Sequence, residues 1–329
     1  MKKIIFAGYI LFFESLCLGA GISDKAFIYA VHKGAQAMMT FRVVDDEGLS
    51  VTDANIETGF DDPSPGQSIY NWQTDTNGIC VVNGKTKGNM WYRITKPGFY
   101  QTDGSFYFRS KNPPYVVDGR WNPWNPTNTV ILKAIKDPVP MYVKGVEALI
   151  PVLNKPVGFD LEKGDWVSPY GGGARSDFLI TFSKEQRVKN DYDLNITLDF
   201  SNQRDGIQEV DIENPKVSDL RMPYDAPLSG YQTNWLSRAG QRPDTGYFGT
   251  LVSDETKNYF YRVRTVLDEN GNIKETYYGK IHGAIHLRSA FRDDPKIIFT
   301  YYLNPTPNDR NVEFDPEKNL FGGTFHFAP

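Results

Sequence analysis

The amino-acid sequence predicts an all-β protein that consists of two β domains. Three observations support this fold class. Aromatic residues make up 14% of the 329 residues, and such side chains suit half-buried pleated surfaces. Apolar and polar residues alternate over many short stretches. The 21 prolines and 29 glycines fall mostly between those stretches, as turns require. With 40% apolar residues, the chain can bury a proper core.

Residues 1–20 have the pattern of an export signal. Two lysines precede the apolar stretch Ile4–Phe13, and Gly19 and Ala20 offer a small-residue cleavage site. The apolar stretch is shorter than the roughly 20 residues that a membrane span needs, and no later segment is long and apolar enough. We therefore expect a secreted or periplasmic protein with no transmembrane span in the mature chain.

The two cysteines and the charge balance further limit the classes of protein to which this chain can belong. Cys17 would permit lipid attachment, but the bulky Leu16 precedes it, so a lipoprotein is the less favoured alternative. Cleavage would leave Cys80 alone, and a lone cysteine forms no internal disulfide, so the core must supply the stability. The formal net charge is −4 with both signs interspersed, which gives no electrostatic case for nucleic acid as a partner.

The first predicted domain covers residues 38–136. The lead segment 21–37 is ambiguous because Phe27 and Val31 have helical spacing over a short stretch. From Met38 the pattern changes to period two, which indicates strands. Polar turns separate these strands, with Gly residues able to adopt a positive φ.

The order of short motifs in this region resembles the carboxypeptidase-regulatory-like family. The motifs are Val43-Val44-Asp45-Asp46-Glu47-Gly48, Asp53-Ala54-Asn55-Ile56, Thr74-Asp75-Thr76-Asn77-Gly78 and Trp91-Tyr92-Arg93-Ile94-Thr95-Lys96-Pro97-Gly98-Phe99-Tyr100. The resemblance covers about residues 38–135 and implies a small Ig-like or transthyretin-like β-sandwich. It carries no catalytic residue, because the chemistry of peptidases of that name sits in a different domain.

A second, larger β domain is predicted over residues 146–329, after a proline-containing linker at 137–145. Alternation predicts strands at Phe178–Phe182 and Tyr192–Phe200, and Asp268-Glu269-Asn270-Gly271 predicts a hairpin turn. The region 201–246 has little periodicity and is expected to be loop-rich, and long loops in compact domains are often functional. A second β-sandwich of jelly-roll type fits this pattern best.

Aromatic and histidine residues supply the candidate binding sites. Trp121 and Trp124 flank Asn-Pro steps and, with Trp235, could form a stacking platform for sugar rings; the alternative is that the first two close one end of the sandwich. His282 and His286 lie four residues apart on a predicted strand, so both could face one metal ion. The alternative is that they are ordinary half-buried strand residues.

The sequence identifies no catalytic residue. It contains no Gly-x-Ser-x-Gly elbow, phosphate loop or dinucleotide fingerprint, and no spacing singles out a pair of carboxylates. The sequence therefore predicts a secreted, non-enzymatic binding or envelope-associated structural protein without a cofactor. The alternative is a carbohydrate-binding or carbohydrate-active protein. Its expected partner is a polysaccharide or another envelope protein.

Overall fold

The structure is a computed structural model that describes residues 25–61, 68–110, 113–212, 218–249, 251–291, 294–323 and 327–329. The predicted signal peptide lies outside these residues. Within them, no helix is long and apolar enough to cross a membrane. The chain divides into two compact units: unit 1 ends at Ile135 and also includes Ser218 and Asp219, and unit 2 starts at Lys136. Strands dominate both units, so the all-β fold class is confirmed.

The lead segment 21–37, which the sequence leaves ambiguous, contains a helix, α1, over residues 25–33. Phe27 packs against Tyr115 with ring centroids 4.9 Å apart. Gly34 has a φ of 74° and ends the helix, as glycine commonly does at this position. The first strand starts at the next residue, three residues earlier than predicted.

Unit 1 is a sandwich of two β-sheets. Its strands are β1 (Ala35–Val44), β2 (Asn55–Phe60), β3 (Ser68–Gln73), β4 (Ile79–Thr86), β5 (Asn89–Thr95), β6 (Thr102–Tyr107), β7 (Val116–Val117), β8 (Arg120–Trp121) and β9 (Thr127–Ile131). One sheet has the order β4-β1-β8-β7, with β9 also paired to β1, and the other has the order β3-β2-β5-β6. Alternate side chains of both sheets, such as Phe41 and Ile56, form one buried core between them.

Unit 2 is built from two six-stranded sheets. Its strands are β10 (Val139–Leu149), β11 (Val157–Asp160), β12 (Asp165–Trp166), β13 (Phe178–Val188), β14 (Asp191–Asp199), β15 (Gly206–Asp211), β16 (Asn234–Arg242), β17 (Gly246–Gly249), β18 (Lys257–Leu267), β19 (Ile273–Arg288), β20 (Lys296–Leu303) and β21 (Phe314–Asn319). The sheet orders are β15-β18-β19-β20-β10-β21 and β12-β11-β13-β14-β16-β17.

The first of these sheets is covered on both faces. Along β18, Tyr259 and Tyr261 belong to the core shared with the second sheet. Phe260, which points the other way, belongs to a separate cluster with Tyr302 and Phe314. A strand with two covered faces has a continuous apolar sequence rather than an alternating one.

Three turns with an Asp-x-x-Gly sequence have the same hydrogen-bond pattern, and the one at Asp268 is the hairpin turn that the sequence predicts. In each, an aspartate Oδ1 accepts the N–H groups two and four residues later, at 2.8–3.0 Å, in the turns that start at Asp45, Asp75 and Asp268. The glycine of each turn has a φ between 71° and 81°. Because this geometry involves only neighbouring residues, the sequence is sufficient to predict it.

The predicted linker at 137–145 is wrong, because β10 runs from Val139 to Leu149. Pro140 does not break this strand. It falls at a register shift between Val139 and Met141, where β10 changes its pairing with β21. The missing N–H of a proline costs no ladder bond at such an irregularity.

The predicted loop-rich region 201–246 is also corrected, since it contains β15 and β16 in full. β16 pairs with β14 from Asn234 to Gln241. On one face of β16 most side chains are half-buried rather than fully buried. Such a face does not require a strictly apolar residue at every second position, and the sequence of β16 shows no clear alternation. The pairing partner, rather than the local pattern, makes this segment a strand.

Among the described strands, glycine and aromatic residues face each other across neighbouring strands at four positions. The pairs are Gly59 with Trp91, Gly104 with Tyr92, Gly279 with Tyr261 and Gly240 with Phe248. In each pair a Cβ added to the glycine would lie within 2.5 Å of an atom of the aromatic ring. The ring therefore occupies the space that a side chain at the glycine would need.

We predict that Gly279→Ala destabilises unit 2 by about 2–3 kcal/mol, because overpacking a strand forces side chains and backbone to move. The added Cβ would lie 2.3 Å from the hydroxyl of Tyr261 and from the backbone oxygen of Tyr302. Gly145→Ala is the matched control in the same sheet, where the nearest atoms are 3.7 Å away. Urea denaturation of both variants checks this, and equal stabilities would contradict it.

Candidate functional site

The structure corrects the role predicted for Trp121. Its side chain is 0% exposed, and its Nε1 donates a hydrogen bond of 2.8 Å to the backbone oxygen of Thr86. The ring packs near Phe27 and Phe108. A fully buried indole has no face for a sugar, so the predicted platform of Trp121 and Trp124 does not exist as a pair.

Trp124 and Trp235 have different surroundings. Trp124 is 38% exposed, but the guanidinium of Arg120 lies 4.9 Å from the centre of its ring. Trp235 packs edge-on against Tyr259 at 5.5 Å and borders the core of unit 2. Both remain predicted ligand residues, although each ring already has a partner.

The outer face of the four-stranded sheet in unit 1 presents a tryptophan that the sequence analysis did not select. Strand register and alternation place a set of side chains on this side, all exposed or half-buried. We call it the Trp91 face, and it consists of Glu57, Ile69, Asn71, Trp91, Arg93, Asp103 and Ser105.

Trp91 lies across Gly59 of the neighbouring strand. A Cβ at Gly59 would lie 2.0 Å from Trp91 Nε1 and 2.2 Å from Cε2. The indole can pack directly against the strand only because residue 59 has no side chain. Ile69, which is 54% exposed, pairs with Gly59 from the edge strand β3. The partly exposed indole thus has a fixed position on the outer sheet face.

A row of polar side chains crosses the same face two residues along the strands. It runs Asn71, Glu57, Arg93, Asp103 over β3, β2, β5 and β6. Arg93 Nε donates to Asp103 Oδ1 at 2.9 Å, with both side chains nearly half exposed, and Asp103 raises the pKa of Arg93. Gln101 Nε2 donates to the other oxygen of Asp103 at 3.1 Å.

The polar row and the indole lie side by side on the Trp91 face. Two residues along a strand correspond to roughly 7 Å, so the polar row lies beside the indole at that distance. Arg93 stands between the carboxylates of Glu57 and Asp103 and binds the second of them. The row therefore offers fixed donors and acceptors next to an apolar ring.

His282 and His286 both border one cavity of about 290 Å³ in unit 2. A register shift between them interrupts the pairing of β19 with β20, and Gly283 adopts a φ of 77°. The buried Asn258 accepts a hydrogen bond from the Gly283 N–H at 3.2 Å. Such bulges re-aim side chains and often lie next to binding sites.

The described residues include no group of three or more His, Cys, Asp or Glu side chains that could hold a metal ion. The two histidines therefore share a cavity without a third ligand among these residues, and the predicted metal site stays a prediction. Burial, together with the nearby charges of Lys280 and Arg221, holds the pKa of His282 well below its ordinary value.

Two buried carboxylates in unit 2, those of Asp177 and Asp205, accept hydrogen bonds from the protein on both of their oxygens. Asp177 accepts two hydrogen bonds from Arg264, at 2.6 and 2.9 Å, and a third from the Leu161 N–H. Asp205 accepts the N–H groups of Arg264 and Thr265. Burial disfavours the charge on Arg264, but its ion pairs with Asp177 and Glu162 outweigh burial and raise its pKa.

Asp160 is a further buried carboxylate of unit 2, with an exposed fraction of 3%. Its two oxygens accept four backbone N–H groups at 2.9–3.1 Å, from Glu162, Lys163, Ala174 and Arg175. Burial raises the pKa of Asp160, but these N–H groups outweigh burial and hold it below the ordinary 3.8.

Comparisons with known proteins identify no family for this chain and give only partial structural similarities. No family model and no curated protein matches the sequence. Solved structures with partial similarity include 3-chlorocatechol 1,2-dioxygenase from Rhodococcus opacus 1CP, at 13% identity and a TM-score of 0.26, covering 32% of this chain and 62% of that one. Hydroxyquinol 1,2-dioxygenase from Pseudomonas putida DLL-E4 has 12% identity and a TM-score of 0.24, covering 31% and 57%. At these scores the likeness implies no shared activity.

We predict that Arg264→Met destabilises unit 2 by about 3–5 kcal/mol, because it leaves the fully buried carboxylate of Asp177 without its cation. Arg288→Met is the control: Arg288 is 61% exposed and binds Glu147 at the surface, so the loss there is at most about 1 kcal/mol. Chemical denaturation measures both. The double variant Arg264→Met/Asp177→Asn should lose less than the sum of the single changes, and strict additivity would contradict the coupling.

We predict that Asp160→Asn costs about 2–3 kcal/mol at neutral pH, since an amide accepts on one side only and turns donors toward two of the four N–H groups. Because the pKa of Asp160 is lowered in the folded state, its contribution is present above pH 3.8 and is lost as the pH falls through the folded-state value. The stability difference between wild type and variant should therefore shrink in acid. A difference that stays constant below pH 3.8 would argue against this role.

Proposed function

We propose that this chain is an exported, non-enzymatic binding protein whose ligand is a carbohydrate. The observation that carries the proposal is the partly exposed indole of Trp91, which packs on Gly59 beside a row of polar side chains. Export rests on the signal-like residues 1–20. An envelope-associated polysaccharide is the partner that such a location would supply.

The chemistry of sugars supports this choice of ligand. A pyranose ring has C–H groups that pack against an aromatic face, and hydroxyl groups around its rim that need donors and acceptors. The Trp91 face supplies the aromatic surface, and Asn71, Glu57 and Arg93 supply amide, carboxylate and guanidinium groups on one line. Exposed polar residues on a rigid sheet hold these positions without a closing loop.

The resemblance of unit 1 to the carboxypeptidase-regulatory-like family is compatible with this proposal. That family's modules carry no catalytic residues, and the Trp-Tyr-Arg stretch that contributes to the resemblance is the stretch that carries Trp91 and Arg93. A binding module on an exported protein needs only a stable sheet and a surface. The proposal thus assigns the ligand contacts to unit 1.

We predict that the mature protein is retarded in affinity electrophoresis by at least one polysaccharide in a set of xylan, mixed-linkage β-glucan, galactomannan, starch and soluble peptidoglycan. Trp91→Ala should weaken that binding about ten-fold, or roughly 1.4 kcal/mol. Trp124→Ala, the matched loss of a surface indole from the same unit, should leave it unchanged.

Two outcomes would reject the proposal. Absence of binding to every polysaccharide would leave a structural role as the better description. Binding that is lost in Trp124→Ala and kept in Trp91→Ala would place the site at the Trp124 loop that the sequence predicted. Circular dichroism of both variants verifies that the sheets are intact.

A further inference from the structure

The edge strand β3 of unit 1 has most of its side chains exposed to solvent. Among the described strands it pairs only with β2. Ile69 is 54% exposed and Tyr70 is 41% exposed, and Asn71 and Gln73 are exposed as well. An edge strand of this kind offers a row of backbone N–H and C=O groups to a further strand.

β3 lacks the protection that comparable edge strands of this protein have. Proteins usually discourage edge-to-edge pairing by charged residues or proline on the edge strand, or by a very short strand. β3 has six residues, without charge, proline or glycine. Every other described edge strand of six residues or more contains a charged side chain; these are Lys85 in β4, Asp103 in β6, Glu209 in β15 and Asp315 in β21. On the β3 edge, by contrast, no charge of the strand itself opposes a further strand.

The hydrogen bonds between β3 and β2 determine which backbone groups of β3 face the open edge. Just after the strand, the Thr74 N–H donates to the backbone oxygen of Ala54 at 3.1 Å, so the backbone groups of Thr74 face β2. In an antiparallel ladder, successive residues direct their N–H and C=O groups to opposite sides. The backbone groups of Ile69, Asn71 and Gln73 therefore face away from β2.

These groups match those of a second β3 strand that runs antiparallel and is centred on Asn71. In that register Asn71 faces Asn71 of the second copy, and Ile69 faces Gln73, so each outward-facing residue meets another one. Tyr70 faces Trp72 on the other side of the sheet, as cross-strand aromatic pairs do. Moving the centre by one residue would leave Ile69 or Gln73 opposite a position outside the strand. Such an isologous contact has the two-fold symmetry that is commonest among homodimers.

The same register makes the polar rows of two Trp91 faces continuous. Asn71 is the member of the row that lies on β3, and in this register it lies at the two-fold axis. The rows of two copies would therefore join end to end across one continuous sheet. A long polysaccharide chain that contacts both rows would bind more tightly than it does to either copy alone.

We propose that the chain forms a homodimer through β3, with the two strands antiparallel and centred on Asn71. The dimer itself does not depend on the sugar site, and only its use as a longer platform for a polysaccharide rests on the proposed function. A single pair of strands buries less surface than a standard interface of roughly 1,600 Å². We therefore expect dissociation in the micromolar range.

Sedimentation velocity of the full mature chain without polysaccharide, at about 5–300 µM, tests dimer formation. We expect the wild type to change from monomer to dimer within this range. Asn71→Lys and Asn71→Asp should each weaken self-association at least about ten-fold, because each places like charges directly opposite each other. An equimolar mixture of the two variants should associate at least as tightly as wild type. Ser105→Lys, at an exposed position of β6 on the opposite edge of the same sheet, is the control and should dimerise like wild type.

Cysteine cross-linking tests the register of the two strands. Facing residues of a hydrogen-bonded antiparallel pair have Cα atoms roughly 5.5 Å apart, which lies within the roughly 4.4–6.8 Å that a disulfide spans. Under mild oxidation Asn71→Cys should form a covalent dimer, whereas Gln73→Cys should form one only when it is mixed with Ile69→Cys. Cys80 is buried, and the wild type treated in the same way measures its contribution.

Three results would overturn the proposal. A wild-type chain that stays monomeric over the whole range would leave the β3 edge to a strand of another protein. Self-association that is unchanged in both Asn71 variants would move the interface elsewhere, and cross-linking of Gln73→Cys with itself would refute the register. Polysaccharide binding is measured separately on the wild type: its absence in an intact dimer refutes only the sugar proposal, and its presence in a strict monomer refutes only the dimer.

Discussion

The contact between Arg264 and Asp177 holds unit 2 together at a point where its two sheets meet. Arg264 belongs to β18 of one sheet, and Asp177 immediately precedes β13 of the other. Both side chains are almost completely buried, so neither charge can exist there without its partner. Arg264 has a φ of 61°, and Asp205 holds that conformation by accepting its N–H. Strain in the backbone and burial of charge are thus compensated within one network.

The same network explains why unit 2 contains buried carboxylates: their oxygens bind groups of the protein itself. Hydrogen bonds from the protein itself occupy both oxygens of Asp160 and of Asp177. A carboxylate that accepts four backbone N–H groups is fixed as an anion and serves to order the loop that follows β11. Cavities and open faces, where polar groups meet solvent, are therefore the places in which binding chemistry can occur.

In both units an aromatic ring packs over a glycine of the neighbouring strand, but the surroundings of the ring differ. At Gly279 the ring of Tyr261 covers the glycine inside a buried sheet, where the pairing only stabilises the core. At Gly59 the covering ring is Trp91 and the sheet face is open. One structural device thus produces a core contact in one place and a presented indole in the other. The difference lies in what covers the sheet.

The sequence by itself determined the features that depend on neighbouring residues. The all-β class, the Asp-x-x-Gly turns and the strongly alternating strands follow from local patterns, because side-chain periodicity and turn hydrogen bonds involve residues close in the chain. Tertiary structure decided the rest. β10 and β16 are strands because partners far along the chain pair with them, and Trp121 is buried because α1 and Phe108 cover it. Trp91 is a candidate site residue only because strand register places it over Gly59 and beside Arg93, a juxtaposition that no local pattern encodes.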